Sequence, residues 1–110
     1  MEGTRYFFGG ETVFGVDCSG LVVLSYRAAG IQLPHSSRLL SRLGRHVQID
    51  SLLPGDLVFF HTSRGRTGHV GISLGRGMVI HASSSQNRVV SEPLKLIARR
   101  NGLTCIKRIL

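Results

Sequence analysis

What this 110-residue chain lacks removes most of the common chemistries from consideration. It has two cysteines, Cys18 and Cys105, so a disulfide-dense scaffold is excluded and at most one bridge is open to it. No Cys-x-x-Cys pair and no His-Glu-x-x-His stretch occurs, so the local spacing of zinc sites is missing. Tryptophan is absent and aromatic residues make up only 6% of the chain, and no basic strand is studded with aromatics as in single-strand nucleic-acid binders. Helix-turn-helix and zinc-finger signatures are absent too, so no specific nucleic-acid partner is expected. The longest apolar runs, residues 21–24 and 57–60, fall far short of the roughly 20 residues that cross a bilayer. The first residues, Met1-Glu2-Gly3-Thr4-Arg5, have neither the basic nor the apolar region of a secretory signal. Acidic residues are scarce: six against 14 basic ones, for a net charge of +8. The excess sits in Arg38, Arg42, Arg45, Arg64, Arg66, Arg99, Arg100, Lys107 and Arg108, and it either attracts a polyanion or forms a solvated basic face.

The most informative stretch that is present is Gly15-Val16-Asp17-Cys18-Ser19-Gly20-Leu21-Val22. It puts a cysteine at the first turn of an apolar helix, with Asp17 as the capping residue. Free N–H groups and the positive end of the helix dipole favour a thiolate there, so the pKa of Cys18 is expected below that of an ordinary buried cysteine. A nucleophile also needs a base. His69, in His-Val-Gly-Ile-Ser-Leu-Gly, and His81, in Val-Ile-His-Ala, each sit in a run that reads as a strand. A cysteine at a helix start facing two histidines from a sheet is the arrangement of nucleophile, base and orienting group.

The order of elements supports that geometry. Helical spacing of Leu21, Leu24 and Ala28 predicts a first helix over residues 18–29, ended by Gly30. Ser36 or Ser37 caps a second short helix carrying Leu39, Leu40 and Leu43, with Gly44 as its stop. Strands follow over residues 47–49, 57–61, 69–74, 78–82, 88–91 and 104–109. Gly75-Arg76-Gly77 turns the third of these into the fourth, a hairpin that brings His69 and His81 together. Helices first and an antiparallel sheet afterwards make an α+β domain, expected as one helical layer on one sheet of five to six strands. The loops over residues 62–68 and 83–87 look like rims of a cleft.

With these residues in view, the sequence resembles the NlpC/P60 family of papain-like cell-wall peptidases. The matches, in family order, are Tyr6-Phe7-Phe8-Gly9-Gly10, Asp17-Cys18-Ser19-Gly20-Leu21-Val22, Gly30-Ile31-Gln32-Leu33-Pro34, Leu53-Pro54-Gly55-Asp56-Leu57-Val58-Phe59-Phe60, His69-Val70-Gly71-Ile72 and Val79-Ile80-His81-Ala82. The resemblance implies a single catalytic domain over residues 1–110, without the helix that normally precedes Tyr6. It implies Cys18 as nucleophile, His69 as base and His81 as the group holding the His69 ring. Tyr6 then helps the Cys18 N–H stabilise an oxyanion, unless it is a core tyrosine. Asp17 and Ser19 meet the charged end of the substrate, though Asp17 as a helix cap alone is an equal reading. Ser37 lines the same groove or serves the helix start. The implied substrate is a peptidoglycan stem peptide, cut between D-γ-glutamyl and a diamino acid, with no cofactor. An anionic cell wall suits the +8 charge, and the implied location is periplasm, cell wall or outside the cell.

Three departures from the family pattern alter the substrate groove: Phe8 where tryptophan is usual, His35 where arginine follows Leu-Pro, and Leu40 near an expected glutamine. His35, His46 and His61 have no matching partner and read as surface or loop residues. Cys105 reads as an inert buried thiol of an apolar terminal strand. Rival uses of the same atoms are a Cys18–Cys105 disulfide, a zinc site of Cys18, His69 and His81, a related thiol amidase or acyltransferase, and a dead, basic wall-binding module.

Overall fold

The computed structural model describes residues 2–7, 9–12, 15–62 and 67–110. Phe8, and Arg64 and Arg66 of the 62–68 loop, therefore lie outside the described residues. The chain opens with β1 (Glu11–Thr12) and β2 (Gly15–Val16), which pair with each other, and continues into α1 (Cys18–Ala28) and α2 (Ser37–Leu40). After β3 (Arg45–His46) and a 3-10 turn (Ile49–Ser51) come β4 (Leu57–His61), β5 (Thr67–Gly75), β6 (Met78–Ser83) and β7 (Arg88–Pro93). A third helix, α3 (Leu94–Asn101), precedes the last strand, β8 (Leu103–Arg108). Six of the strands form one antiparallel sheet in the order β3-β8-β4-β5-β6-β7. This is the α+β architecture expected from the sequence.

Strand β4 is the spine of the core. Its residues Leu57, Val58, Phe59 and Phe60 are all 0% exposed, and an unbroken apolar run of this kind belongs to a strand covered on both faces. Leu57 and Phe59 pack with Val22 and Tyr26 of α1, Leu40 of α2 and Val70 of β5. Val58 and Phe60 point the other way, onto Val79, Ile106 and the α3 residues Leu94 and Ile97. Helices therefore cover both faces, which corrects the expectation of one helical layer. Each such side chain, fully buried, contributes roughly 1.5–3 kcal/mol of transfer free energy.

Helix α3 also corrects the expected order of helices first and strands afterwards. Pro93 stands at its N-terminus, Leu94 and Ile97 bury one turn apart, and Arg99 and Arg100 fill the last turn. Gly102, at φ +82°, ends it. The strand expected over residues 47–49 is displaced: the ladder uses Arg45 and His46, and Ile49 starts the 3-10 turn. Val47 still donates its N–H to Ile106 O at 3.0 Å and buries its side chain, which is the apolar signal the sequence carried.

Asp56 ties the turn before β4 to the end of the sheet. It is 2% exposed, and its two oxygens accept from Nε and Nη2 of Arg108, each at 2.8 Å, while Oδ2 also accepts from Leu53 N. Burial pushes its carboxyl up, but the guanidinium, the Leu53 N–H and Arg45 outweigh it and hold the group below the usual carboxylate range. Arg108 is thus part of the fold and no free surface charge.

Candidate active site

The helix start that carries Cys18 is built by Asp17. This residue has extended backbone, and its Oδ1 accepts from Gly20 N at 2.7 Å, the bond of an N-cap. Oδ2 accepts from Gly9 N at 2.9 Å, so the same carboxylate pins the preceding loop. Gly20 is required at its position: a Cβ there would lie 1.8 Å from the Gly10 carbonyl oxygen, because the loop crosses the helix at this point. Cys18 is consequently the first residue of α1, and its Sγ donates to Gly68 O at 3.5 Å, at the beginning of β5. Both cysteines are free thiols, and Cys105 is half-buried on β8, more open than an inert core thiol.

The two histidines come from the β5–β6 hairpin, whose two turn residues Arg76 and Gly77 have φ of 56° and 76°, the positive values that match strand twist. Gly71 of β5 faces His81 of β6 in the ladder, and His69 lies two residues further along on the same face. His69 Nε2 and His81 Nδ1 are 2.8 Å apart, with the ring planes at 84°. The hairpin does what the sequence demanded of it. A cavity of about 400 Å³ is lined by Tyr6, Cys18, His69, His81 and Arg100. Thr62, Gly68 and the serines 83–85 edge it, as expected of the two rims, while residues 63–66 are outside the described set.

Beyond His81 the network continues to a residue that sequence reasoning missed. His81 Nε2 is 2.7 Å from Oε1 of Glu92 on β7, and Arg100 of α3 forks onto the same carboxylate at 3.0 and 2.8 Å. The expected strand stopped at Ser91 and α3 was not foreseen, so nothing brought Glu92 or Arg100 toward His81. A signal existed: carrying the alternation of β7 two residues past Val90 puts Glu92 diagonally across from His81 on β6.

Burial governs the electrostatics. It pushes the Cys18 thiol up, with the Asp17 charge adding, while N–H groups of Val70, Ser19 and Cys18 itself pull the other way. The net direction from the ordinary thiol value is upward, because lost hydration outweighs the helix start, while the N–H groups there still pull the thiol down as expected. Burial, His81 and Arg100 press the His69 ring down to about 4 against the pull of Glu92. Burial likewise lowers His81, more than Glu92 raises it. At neutral pH the site thus rests as a thiol and a neutral imidazole. Tyr6 is raised by burial first, then by Cys18 and Asp17.

The remaining sequence candidates sit outside this cavity. Asp17 and Ser19 are not in its lining, and Ser19 is buried with Oγ 3.4 Å from Asp17 Oδ1. Ser36, not Ser37, caps α2, accepting from Leu39 N at 3.2 Å; Ser37 is the first residue of that helix. Leu40 is a core residue. His46 is exposed on β3. His35 does occupy a loop, but it is not without partners: its Nε2 is 2.7 Å from Asp17 Oδ1 and its Nδ1 is 2.8 Å from Glu11 Oε2, two carboxylates converging on one ring. His61 is no surface residue; it ends β4 half-buried, with Nδ1 buried and without a hydrogen-bond partner among the described residues. Among the described residues no group of three or more His, Cys, Asp or Glu side chains is arranged to hold a metal ion.

The chain is 48% identical over 87 residues to the probable endopeptidase NlpC of Escherichia coli K12, covering 77% of this chain and 56% of that protein. It is 41% identical over 92 residues to the murein DD-endopeptidase MepS/murein LD-carboxypeptidase of the same strain, covering 82% of this chain and 48% of that protein. The chain thus spans about half the length of these relatives. The crystal structure of an NlpC/P60 family protein from Bacillus cereus ATCC 10987 superposes with a TM-score of 0.90 at 32% identity, over 99% of this chain and 36% of that one. The sequence pattern of the NlpC/P60 family itself matches residues 3–105, which take in the helix start, the hairpin and the whole cavity between them, and the chain belongs to that family.

Proposed function

We propose that this chain is a cysteine peptidase, one catalytic domain, that hydrolyses an amide bond in peptidoglycan peptides. The observation that carries this reading is the placement of Cys18 and the hydrogen-bonded pair His69–His81 on one cavity. His69 Nε2 is engaged by His81, so Nδ1 is the ring nitrogen left to take a proton from the thiol. As Sγ attacks the carbonyl carbon, that proton passes to His69, and the two charges form together instead of each being buried alone. The backbone N–H of Cys18 and the Tyr6 hydroxyl stabilise the oxyanion. Collapse to a thioester expels the amine, protonated by His69; water, deprotonated by the same ring, then frees the acid product and the thiol.

The substrate class rests on the relatives, one of which is named as a murein endopeptidase. Two bonds are in play. The family resemblance points to D-γ-glutamyl-diamino acid, while that relative's name points to a cross-link cut between D-residues. Asp17 and Ser19, which flank the nucleophile, and Ser37 at the start of α2 are offered as the substrate's polar contacts. Asp17 would act through its position, since its oxygens already serve Gly20, Gly9 and His35. The work belongs to the cell wall or periplasm, where the net charge of +8 suits an anionic surface. Mass spectrometry of muropeptides digested by the purified protein tests the reading. New fragments split within the stem peptide support the first bond, and loss of dimers in favour of intact monomers supports the second. An unchanged muropeptide profile would overturn the reading and leave the alternatives, a thiol amidase or acyltransferase on another substrate or a binding module.

A further inference from the structure

Glu92 stands two hydrogen bonds from the reacting histidine, and those bonds have a direction. Its carboxylate receives both arms of Arg100, and that guanidinium, ahead of a smaller opposing effect of burial, keeps its pKa below the usual carboxylate range. An ionised carboxylate only accepts hydrogen bonds. At 2.7 Å, His81 Nε2 must therefore be the nitrogen that carries hydrogen. A neutral His81 protonated at Nε2 offers a bare lone pair at Nδ1. His69 Nε2, 2.8 Å from that lone pair, must in turn carry its own hydrogen, which leaves Nδ1 of His69 unprotonated. That nitrogen is the one the thiol needs.

We infer that Glu92, oriented by Arg100, is a positioning residue that fixes the tautomer of His81 and, through it, the tautomer in which His69 can take the Cys18 proton. The inference rests on His69 being the base. Without an acceptor-only group at position 92, His81 is free to carry its hydrogen at Nδ1 and donate it to His69 Nε2. His69 would then hold its hydrogen at Nδ1, the nitrogen that has to take the thiol proton, and no proton could be taken. Arg100 is 48% exposed on its side-chain surface, so its pairing with Glu92 is a weak contributor to stability. Holding a carboxylate at a fixed angle to His81 is a more specific task for it.

Histidine nitrogen NMR tests this without relying on turnover. In the Cys18→Ala protein, with both rings neutral near pH 7.5, His69 and His81 are expected as Nε2–H tautomers. Adding Glu92→Gln, whose amide both donates and accepts, is expected to give a mixture of tautomers at both rings. In the active protein, Glu92→Gln is expected to lower kcat about 10- to 100-fold, the size of effect that outer hydrogen-bond partners have on metal-bound histidines, with KM changed less than about twofold. Glu92→Asp, which keeps the acceptor-only chemistry, restores part of that loss. Nδ1–H at either ring in the Cys18→Ala protein would overturn the inference, as would full kcat in a folded Glu92→Gln protein. Should no peptide be cleaved by the unmodified protein, the peptidase reading fails while the tautomer result still decides the role of Glu92.

Discussion

At the scale of single residues, the proposed assignment gives the two histidines different tasks, and that difference is measurable. A base must accept and return a proton, whereas an orienting group needs only to accept the His69 ring hydrogen. His69→Ala is expected to cost several orders of magnitude in kcat, while His81→Gln and His81→Asn keep an acceptor and retain appreciable activity. Rates on one stem peptide check both; equal loss in His69→Ala and His81→Gln would contradict the division of roles, and a larger loss in His81→Gln would reverse it. Burial of these rings also shapes stability. His69 has a folded pKa of about 4, below its ordinary 6.5, so the unfolded chain binds the proton first as pH falls. The protein should therefore hold its stability above pH 6.5, lose a few kcal/mol between pH 6.5 and about 4, and level off with respect to this group below that. His81 is shifted in the same direction and steepens the loss. Thermal melts across that window should show a shallower decline in His69→Gln; an identical slope would mean that His69 is not buried in its neutral form.

At the scale of elements, the site depends on one helix start and one buried spine. The close pass of Gly10 over α1 leaves no room for a methyl group, so Gly20→Ala should displace the helix start and lower activity by tenfold or more, with a lowered Tm, although alanine is the better helix former. Ile97, fully buried on α3, should cost about 2–5 kcal/mol when cut to alanine, read from chemical denaturation; a loss under 1 kcal/mol would mean that α3 is a loose cover. The sequence made α1, the hairpin and four central strands legible because each has a local signal: Asp17 before an apolar stripe, Gly75-Arg76-Gly77, and runs of branched residues. Helix α3 was not legible because only two of its eight residues bury, Leu94 and Ile97, and these follow directly on a strand. The same gap hid Glu92 and Arg100. For the Cys18 thiol only one of two opposing effects was legible: the pull of the helix-start N–H groups belongs to the local chain, and the burial that outweighs it belongs to the packed fold.

At the scale of the whole molecule, the charge of +8 is partly spent inside the fold. Arg100 and Arg108 are committed to Glu92 and Asp56, while Arg38, Arg42 and Arg45 remain exposed. If this remaining charge concentrates the protein on an anionic wall, activity on intact sacculi should fall with added salt more steeply than activity on a small neutral peptide, because screening acts on long-range attraction. Equal salt dependence on the two substrates would make the charge a solvated face. The proposed function turns on Cys18 as the nucleophile of a peptidase, and the most direct measurement of that role is hydrolysis of a defined stem peptide followed by mass spectrometry. The unmodified protein and Cys105→Ser should both cleave it, and a folded Cys18→Ala protein should leave it intact over the same hours; turnover by Cys18→Ala within a few fold of the unmodified protein would contradict the claim outright.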